Sequence, residues 1–559
     1  MNRRHFVRTT GFSLGAIFIA RRLGATPAGT MYGDAIAHPD EVSVTSESES
    51  FALRSIDGAT WTERDVRVTF SPSGNALGVD IESPSENLRF VTLKWRLPRS
   101  ASVRCLGDQW ERSYGDLHWG AVDEQRLMPW YFMEFDGKVT NGFGVKTGCR
   151  SLCCWRASTQ QVTLTLDLRS GGNGVRLRDR VLRAAEIVVQ RGTETDSPFA
   201  STRKFCTLMC NSPRMPKEPV YGINDWYFTY GNNSAELILE HASLTAGLAE
   251  NNSNKPFCVV DAGWAIEAPG FPRSWWAENF ATPNRHFGDM GKLADNIKAL
   301  GMRPGIWVRP LCGSVNDDSS RLMPKFPRMD APNAPFLDPT IPENMDRITG
   351  YFRLYRSWGY ELIKHDYTTV DLLGKWGFKM IESGDMTFPG WRFHDDARTN
   401  AEIILDLYQA IREASADTYV IGCNTISHLS AGLFELQRIG DDTSGKEWER
   451  TRRMGVNTLG FRLPQHKTFY SADGDCVGLT TQVPWEKNKQ WMQLVAETGT
   501  PLFISAQKEA VGETQRAFIK ECFTTASRPV PDAEPLDWME RQVPLKWRLM
   551  GLEVEFDWS

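Results

Sequence analysis

Apolar and polar positions along this chain follow two rhythms, which exchange near residue 215. From 38 to 215 short runs alternate apolar with polar, as in Val66-Arg67-Val68-Thr69-Phe70 and Val162-Thr163-Leu164-Thr165-Leu166-Asp167-Leu168. Gly142-Phe143-Gly144-Val145 and Glu186-Ile187-Val188-Val189 add further runs. A period of two turns one face of a strand inward and the other outward. Gly, Pro, Asn and Asp break these runs at roughly 8–12-residue spacing, which predicts an N-terminal β-sandwich. A proline-punctuated linker, Asn211 to Pro219, follows.

From Val220 the rhythm becomes strand then helix, repeated. Strands are expected at Val220–Asn224, Phe257–Asp261, Arg303–Arg309, Tyr360–Ile363, Tyr419–Asn424, Leu433–Ile439, Thr458–Arg462 and Pro501–Ser505. Helices are expected at Ser234–Leu248 with Ser234 as N-cap, Met290–Leu300, Asn344–Trp358 and Ala401–Ala414. An alternation of this length predicts an α/β fold, a (β/α)8 TIM barrel over 216–525 behind the 38–215 sandwich. Residues 526–559 read as a short β-like tail.

The N-terminus carries paired arginines, Arg3-Arg4, before an apolar run from Phe12 to Ala20. That run is too short to span a bilayer as a stable helix. Residues 1–37 therefore read as an export signal of the twin-arginine kind, with Ala35-Ile36-Ala37 as a cleavage point. The expected location is periplasmic or secreted, with no membrane insertion after signal removal. The chain has 559 residues and a net charge of -5, which gives no reason to expect nucleic acid as a partner. Its 11 cysteines are scattered, and Cys149, Cys153 and Cys154 have no second cluster to complete zinc spacing. No metal or cofactor is expected. Tryptophan is abundant, at 20 residues, and Trp226, Trp264, Trp275, Trp276 and Trp391 fall near expected loops. Aromatic faces there suit the C–H faces of sugar rings.

Charged and polar residues recur where the expected strands end: Asn224, Asp225, Asp261, Arg309, Lys364, Asp366, Asn424, Arg438, Asp441 and Asp442. In a barrel these ends converge on one mouth. Glycoside cleavage needs two carboxyl groups, one to attack or activate water and one to protonate the leaving oxygen. Asp366 and the Asp441-Asp442 pair supply them. Lys364 lies two residues before Asp366, on the same face of an extended strand.

Here the motifs carry a resemblance. Gly359-Tyr360-Glu361-Leu362-Ile363-Lys364-His365-Asp366 resembles the nucleophile strand of the clan D α-galactosidases, the melibiases of glycoside hydrolase families 27 and 36. Val259-Val260-Asp261-Ala262-Gly263-Trp264 resembles their Asp-Asp-Gly-Trp segment, and Met302 to Trp307 their Gly-Ile-Trp strand. Arg438-Ile439-Gly440-Asp441-Asp442-Thr443-Ser444 resembles the acid/base segment. The resemblance runs from about 220 to 505. It implies a retaining glycosidase acting on terminal α-linked sugars of an oligo- or polysaccharide, with Asp366 as nucleophile. Asp441 is the better match for the acid/base, while counting from Arg438 selects Asp442. Asp261, Trp264, Trp307, Lys364, Cys423 and Arg438 fall at sugar-contacting positions. Ala262 replaces one of two usual acids, so the sugar itself is left open. A second departure is the short tail, where the family carries a full sandwich.

Two other classes compete. A metal-dependent barrel hydrolase would draw on His365-Asp366, His394-Asp395-Asp396 and His466, none of which has i, i+4 or His-x-His spacing. A non-catalytic carbohydrate-binding barrel would keep the fold without turnover, against which the retained pair Asp366 and Asp441 argues.

Overall fold

The computed structural model describes residues 38–270 and 274–559, so the expected signal at 1–37 lies outside the described residues. The front of the chain folds into two antiparallel sheets of six and nine strands. Their alternation is visible residue by residue: Val42 and Val44 of Glu41–Ser46 are buried and their neighbours are not. The inner faces meet where Trp155 of one sheet packs on Phe132 and Phe143 of the other, at 5.9 and 6.4 Å. A helix that the sequence pattern did not foretell, Pro198–Met209, closes this region. It lies close because Gly142 faces it; a Cβ there would sit 2.5 Å from the Phe205 ring.

Behind the antiparallel layers stands a sheet of nine strands, all paired in parallel. In chain order they are Tyr221–Asn224, Phe257–Val260, Arg303–Val308, Leu362–His365, Tyr419–Gly422, Leu436–Arg438, Ser471–Asp473, Cys476–Leu479 and Leu502–Ala506. The two edge strands are Ser471–Asp473 and Cys476–Leu479, and only Gly474 and Asp475 separate them. The chain thus passes directly from one edge of the sheet to the other, and the sheet comes round on itself. Inside it Val259, Leu362, Ile421, Leu436 and Phe503 form an apolar cluster separate from the main core. Gly305 makes room there: a Cβ would fall 2.9 Å from Val259.

One expected strand is not a strand. Thr458–Arg462 is helical, part of a continuous run that begins at Trp448 and includes a wider π turn at Arg452–Asn457. The helix aims Arg462 at Asp108, 2.7 Å away, and at the Glu111 and Ile439 carbonyls, at 2.6 and 3.0 Å. The strand that takes its place in the sheet is the interrupted Ser471–Leu479 stretch, whose Ser, Asp and Gly residues disguise it. The intervening helices run Ala235–Ala246, Met290–Ala299, Pro342–Ser357 and Asn400–Ser415. Ser234 caps the first through Leu237 N at 3.2 Å, and a Thr399–Glu402 capping box opens the last. The final residues form a hairpin, Lys546–Leu549 with Leu552–Glu555.

Candidate active site

Strand parity places the polar residues. Leu362 points into the barrel, so Lys364 and Asp366 on the same side rise above it toward the C-terminal rim. The same step of two leads from Val259 to Asp261, from Ile421 to Cys423 and from Leu436 to Arg438. Register aligns the rim: Lys364 sits opposite Trp307 and Ile421, and Arg438 opposite Asp473. The odd residue out, His365, faces the opposite way, where Phe352, Tyr408 and Phe434 surround its ring. Burial pushes it down to about 3, as it does His466. His365 and Asp366 therefore point to opposite faces and do not form a joint ligand pair.

Asp366 is held at both oxygens. Trp307 Nε1 donates to Oδ2 at 3.0 Å, and the amide of Tyr367 donates to Oδ1 at 2.7 Å. Tyr367 reaches that position in the left-handed region, at φ +65°. Its ring lies over the Arg309 guanidinium at 3.9 Å and edge-on to Trp307 and Trp376. Arg309 is fully buried and is fixed by Asp371 at 2.6 Å and Asp330 at 2.9 Å.

Lys364 Nζ donates to Asp261 Oδ2 at 2.7 Å, and Asn224 Nδ2 donates to the same oxygen at 2.6 Å. Burial alone would lower the Lys364 pKa, but the charge of Asp261 beside it drives it well above the ordinary lysine range. The Asp261 amide in turn donates to Asp225 Oδ1 at 2.7 Å. Asp225 is fully enclosed, and burial followed by the nearby Asp261 charge pushes it up to about 6.

The two neighbouring aspartates have different surroundings. Asp441 is clamped between Arg112 at 2.8 Å and Arg450 at 2.7 Å, and its side chain is 14% exposed. Asp442 receives Arg438 Nη2 at 2.9 Å, stands 3.6 Å from Arg112, and is 40% exposed. Desolvation works to raise Asp442, but Arg438 first, then Arg112 and Lys364, hold it below the usual carboxylate range. Cys423 is buried with its sulfur 3.7 Å from Arg438 Nη1.

Trp264 departs from the expected sugar contact. It is fully buried, edge-on to Tyr355 and Trp358 of the helix side, and its Nε1 donates to the Trp307 carbonyl at 2.9 Å. Its effect on the mouth runs through Trp307, which holds Asp366.

Several residues here escaped the sequence reading. Arg112 comes from the antiparallel region, within the segment 108–116 that lies on the barrel rim. Ser113 N donates to the Ile439 carbonyl, and Asp441 N donates to the Ser113 carbonyl, both at 2.8 Å. Glu111 accepts from Gly377 N at 2.6 Å and from Asn424 Nδ2. On the interrupted strand, Asp475 accepts from Tyr227, Arg438 and Thr443. Asp473, mainly through burial, is pushed up to about 6. Trp110-Glu111-Arg112 and Asp473-Gly474-Asp475 mark these places only as charge without alternation.

No family model matches the chain. An alpha-galactosidase of Escherichia coli is 25% identical over 169 residues, which is 29% of this chain and 22% of that protein. The chain thus matches about a fifth of the length of that curated relative. Solved structures align far more fully. TtGalA, an alpha-galactosidase from Thermus thermophilus in complex with p-nitrophenyl alpha-D-galactopyranoside, covers 92% of this chain and 99% of its own at 16% identity, with a TM-score of 0.58. The same protein with stachyose gives 0.55 at 17% identity, covering 81% and 99%. A variant of the GH36 alpha-galactosidase AgaA from Geobacillus stearothermophilus, with 1-deoxygalactonojirimycin, gives 0.58 at 12% identity, covering 88% and 75%. These likenesses show a shared fold, a TIM-barrel domain with antiparallel sheets before it.

Proposed function

We propose that this protein is a retaining glycosidase of the α-galactosidase type, with Asp366 as nucleophile and Asp442 as acid/base. One observation carries the reading: Asp366, Lys364, Asp261, Arg438 and Asp442 stand on or just after three alternate strands of the parallel sheet, at a single rim. Asp366 would attack the anomeric carbon as Asp442 protonates the departing oxygen, from the protonated fraction that Arg438 and Arg112 leave it; Asp442 would then draw a proton from water as it attacks the glycosyl-enzyme. The Lys364–Asp261 pair offers a donor and an acceptor to sugar hydroxyls. Motif matching favoured Asp441, yet both its oxygens are engaged by arginines, and Asp442 keeps the exposed face. The neighbours' stachyose and raffinose complexes support an α-galactosyl oligosaccharide as substrate.

Asp366→Asn is expected to abolish turnover with the melting temperature retained. Asp442→Ala is expected to form glycosyl-enzyme from an aryl glycoside with a good leaving group, and azide to rescue its breakdown; Asp441→Ala is expected to show no rescue. Rescue of Asp441→Ala alone would exchange the two assignments, and wild-type rates in Asp366→Asn would end the proposal. Initial release of the inverted anomer, read by proton NMR, would remove the double displacement. We also propose export through the arginine-paired N-terminus; a reporter fused to residues 1–37 should leave the cytoplasm, and Arg3→Lys/Arg4→Lys should retain it there. Export of that double variant as efficient as the parent's would refute this part.

A further inference from the structure

Three cysteines close together, Cys149, Cys153 and Cys154, have no part in the site at the barrel rim. They lie where the chain crosses between the two antiparallel sheets. Strand Thr140–Val145 belongs to the nine-stranded sheet, and strand Leu152–Ala157 to the six-stranded one. The loop between them turns at Gly148, in the left-handed region at φ +74°. It is pinned on two sides. The Arg150 amide donates to the Ala184 carbonyl at 3.0 Å. The Arg150 carbonyl accepts from Thr399 Oγ1 at 2.6 Å, where the barrel helix Asn400–Ser415 begins.

Within this corner two of the sulfurs meet. Cys149 Sγ and Cys153 Sγ are 4.0 Å apart, and both stand 3.4 Å from the Ser151 carbonyl oxygen, which accepts from them. Cys149 is 6% exposed and Cys153 is fully buried. Strand parity sets Cys154 aside. It faces the other side of Leu152–Ala157, where its sulfur lies 3.7 Å from the Trp155 carbonyl. A disulfide holds its sulfurs at about 2.05 Å, so each of the two has about 1 Å to travel, a partial turn about χ1. The contacts given up are thiol hydrogen bonds, which are weak. A groove of about 650 Å³ opens along Lys146, Thr147, Gly148 and Arg150 and brings a small reagent to the loop.

We infer that Cys149 and Cys153 form a disulfide when the chain meets a small disulfide oxidant, and that the link locks the crossover between the two sheets. Cys149, the more exposed of the pair, attacks one sulfur of glutathione disulfide as its thiolate and expels one glutathione. The product is a mixed disulfide at Cys149. Cys153 then loses its proton, attacks Cys149 Sγ and expels the second glutathione. The two cysteines give up two electrons and two protons, and the two glutathione thiols carry them away. Oxidising compartments keep such links closed, and reducing ones open them. The link depends on neither the glycosidase reading nor export.

The test treats the folded full chain with glutathione disulfide, blocks the remaining thiols with N-ethylmaleimide and digests with trypsin in the absence of reductant. Trypsin cuts after Lys146, Arg150 and Arg156, so Cys149 and Cys153 fall on separate peptides, 147–150 and 151–156. Mass spectrometry is expected to find the two peptides joined, about 2 Da lighter than the sum of their thiol forms, and parted by dithiothreitol. The joined pair is expected to persist in Cys154→Ser and to vanish in Cys149→Ser and in Cys153→Ser. A wild-type digest in which 147–150 is found only alkylated or carrying glutathione would overturn the inference. A joined pair that survives in Cys153→Ser would overturn it as well, by giving the link to Cys154. The wild-type digest alone can refute the link, so a variant that folds poorly does not shelter it.

Discussion

Tyr367 follows the proposed nucleophile in a backbone conformation that costs a non-glycine residue roughly 1–2 kcal/mol. Its surroundings hold it there: Arg309 beneath the ring, Trp307 and Trp376 at its edges. The strained φ is what turns the Tyr367 amide toward Asp366 Oδ1. Ring and backbone can be separated by substitution. Tyr367→Phe keeps both and is expected to hold kcat within about threefold. Tyr367→Gly keeps the conformation without the ring and should lose about tenfold. Tyr367→Ala keeps neither, and the strain of roughly 1–2 kcal/mol predicts about a further tenfold loss. Steady-state kinetics on an aryl glycoside check this; an alanine variant as active as the glycine variant would show that the left-handed turn does not position the carboxylate.

At the level of elements, sequence legibility followed alternation. Lys364 and Asp366 could be paired on one face because a strand repeats every two residues, and the buried run before them showed which face was inward. The same period sets His365 on the opposite face from Asp366, which speaks against their serving together as metal ligands. Thr458–Arg462 misled because a short apolar run reads equally as buried strand or buried helix; its Arg462 finds partners only in the distant 108–111 segment. The true strand, Ser471–Leu479, was hidden by the polar residues that interrupt it. Arg112 was illegible for another reason. Its partners Asp441 and Asp442 lie over three hundred positions away, and no local period records a contact between separate elements. Trp264 sat at a motif position, yet its burial depends on Tyr355 and Trp358, which the motif does not contain.

Across the whole molecule, buried titratable groups set the response to acid. His241 and His428 are pushed down to about 4, and His365 and His466 to about 3, each chiefly by burial. An unfolded histidine takes a proton near pH 6.5, so these four stabilise the fold above that value and lose their contribution as pH falls toward their folded values. At pH 5 each loses about 2 kcal/mol. Asp225, Asp371 and Asp473 act oppositely, since burial raises each to about 6. Their cost is greatest above that value, and each returns about 1 kcal/mol between pH 7 and 5. Asp108 and Glu111, also raised by burial, add to that side. Asp442 and the ion-paired Glu41 are lowered and add to the histidine side. The histidines prevail, and the melting temperature is expected to fall from pH 7 to pH 5. A thermal melt series that is flat or rises over this interval would contradict the balance.

The segment carrying Arg112 has a consequence for how such a protein can change over generations. A barrel whose catalytic groups all came from its own loops could be cut out and joined to a new front domain. Here an arginine from the front layers grips both aspartates at the mouth, and Glu111 beside it fastens Asn424 and Gly377. Front and barrel must therefore be inherited as one unit. A recombination boundary anywhere between 116 and 220 would hand the barrel a stranger's loop in place of its own.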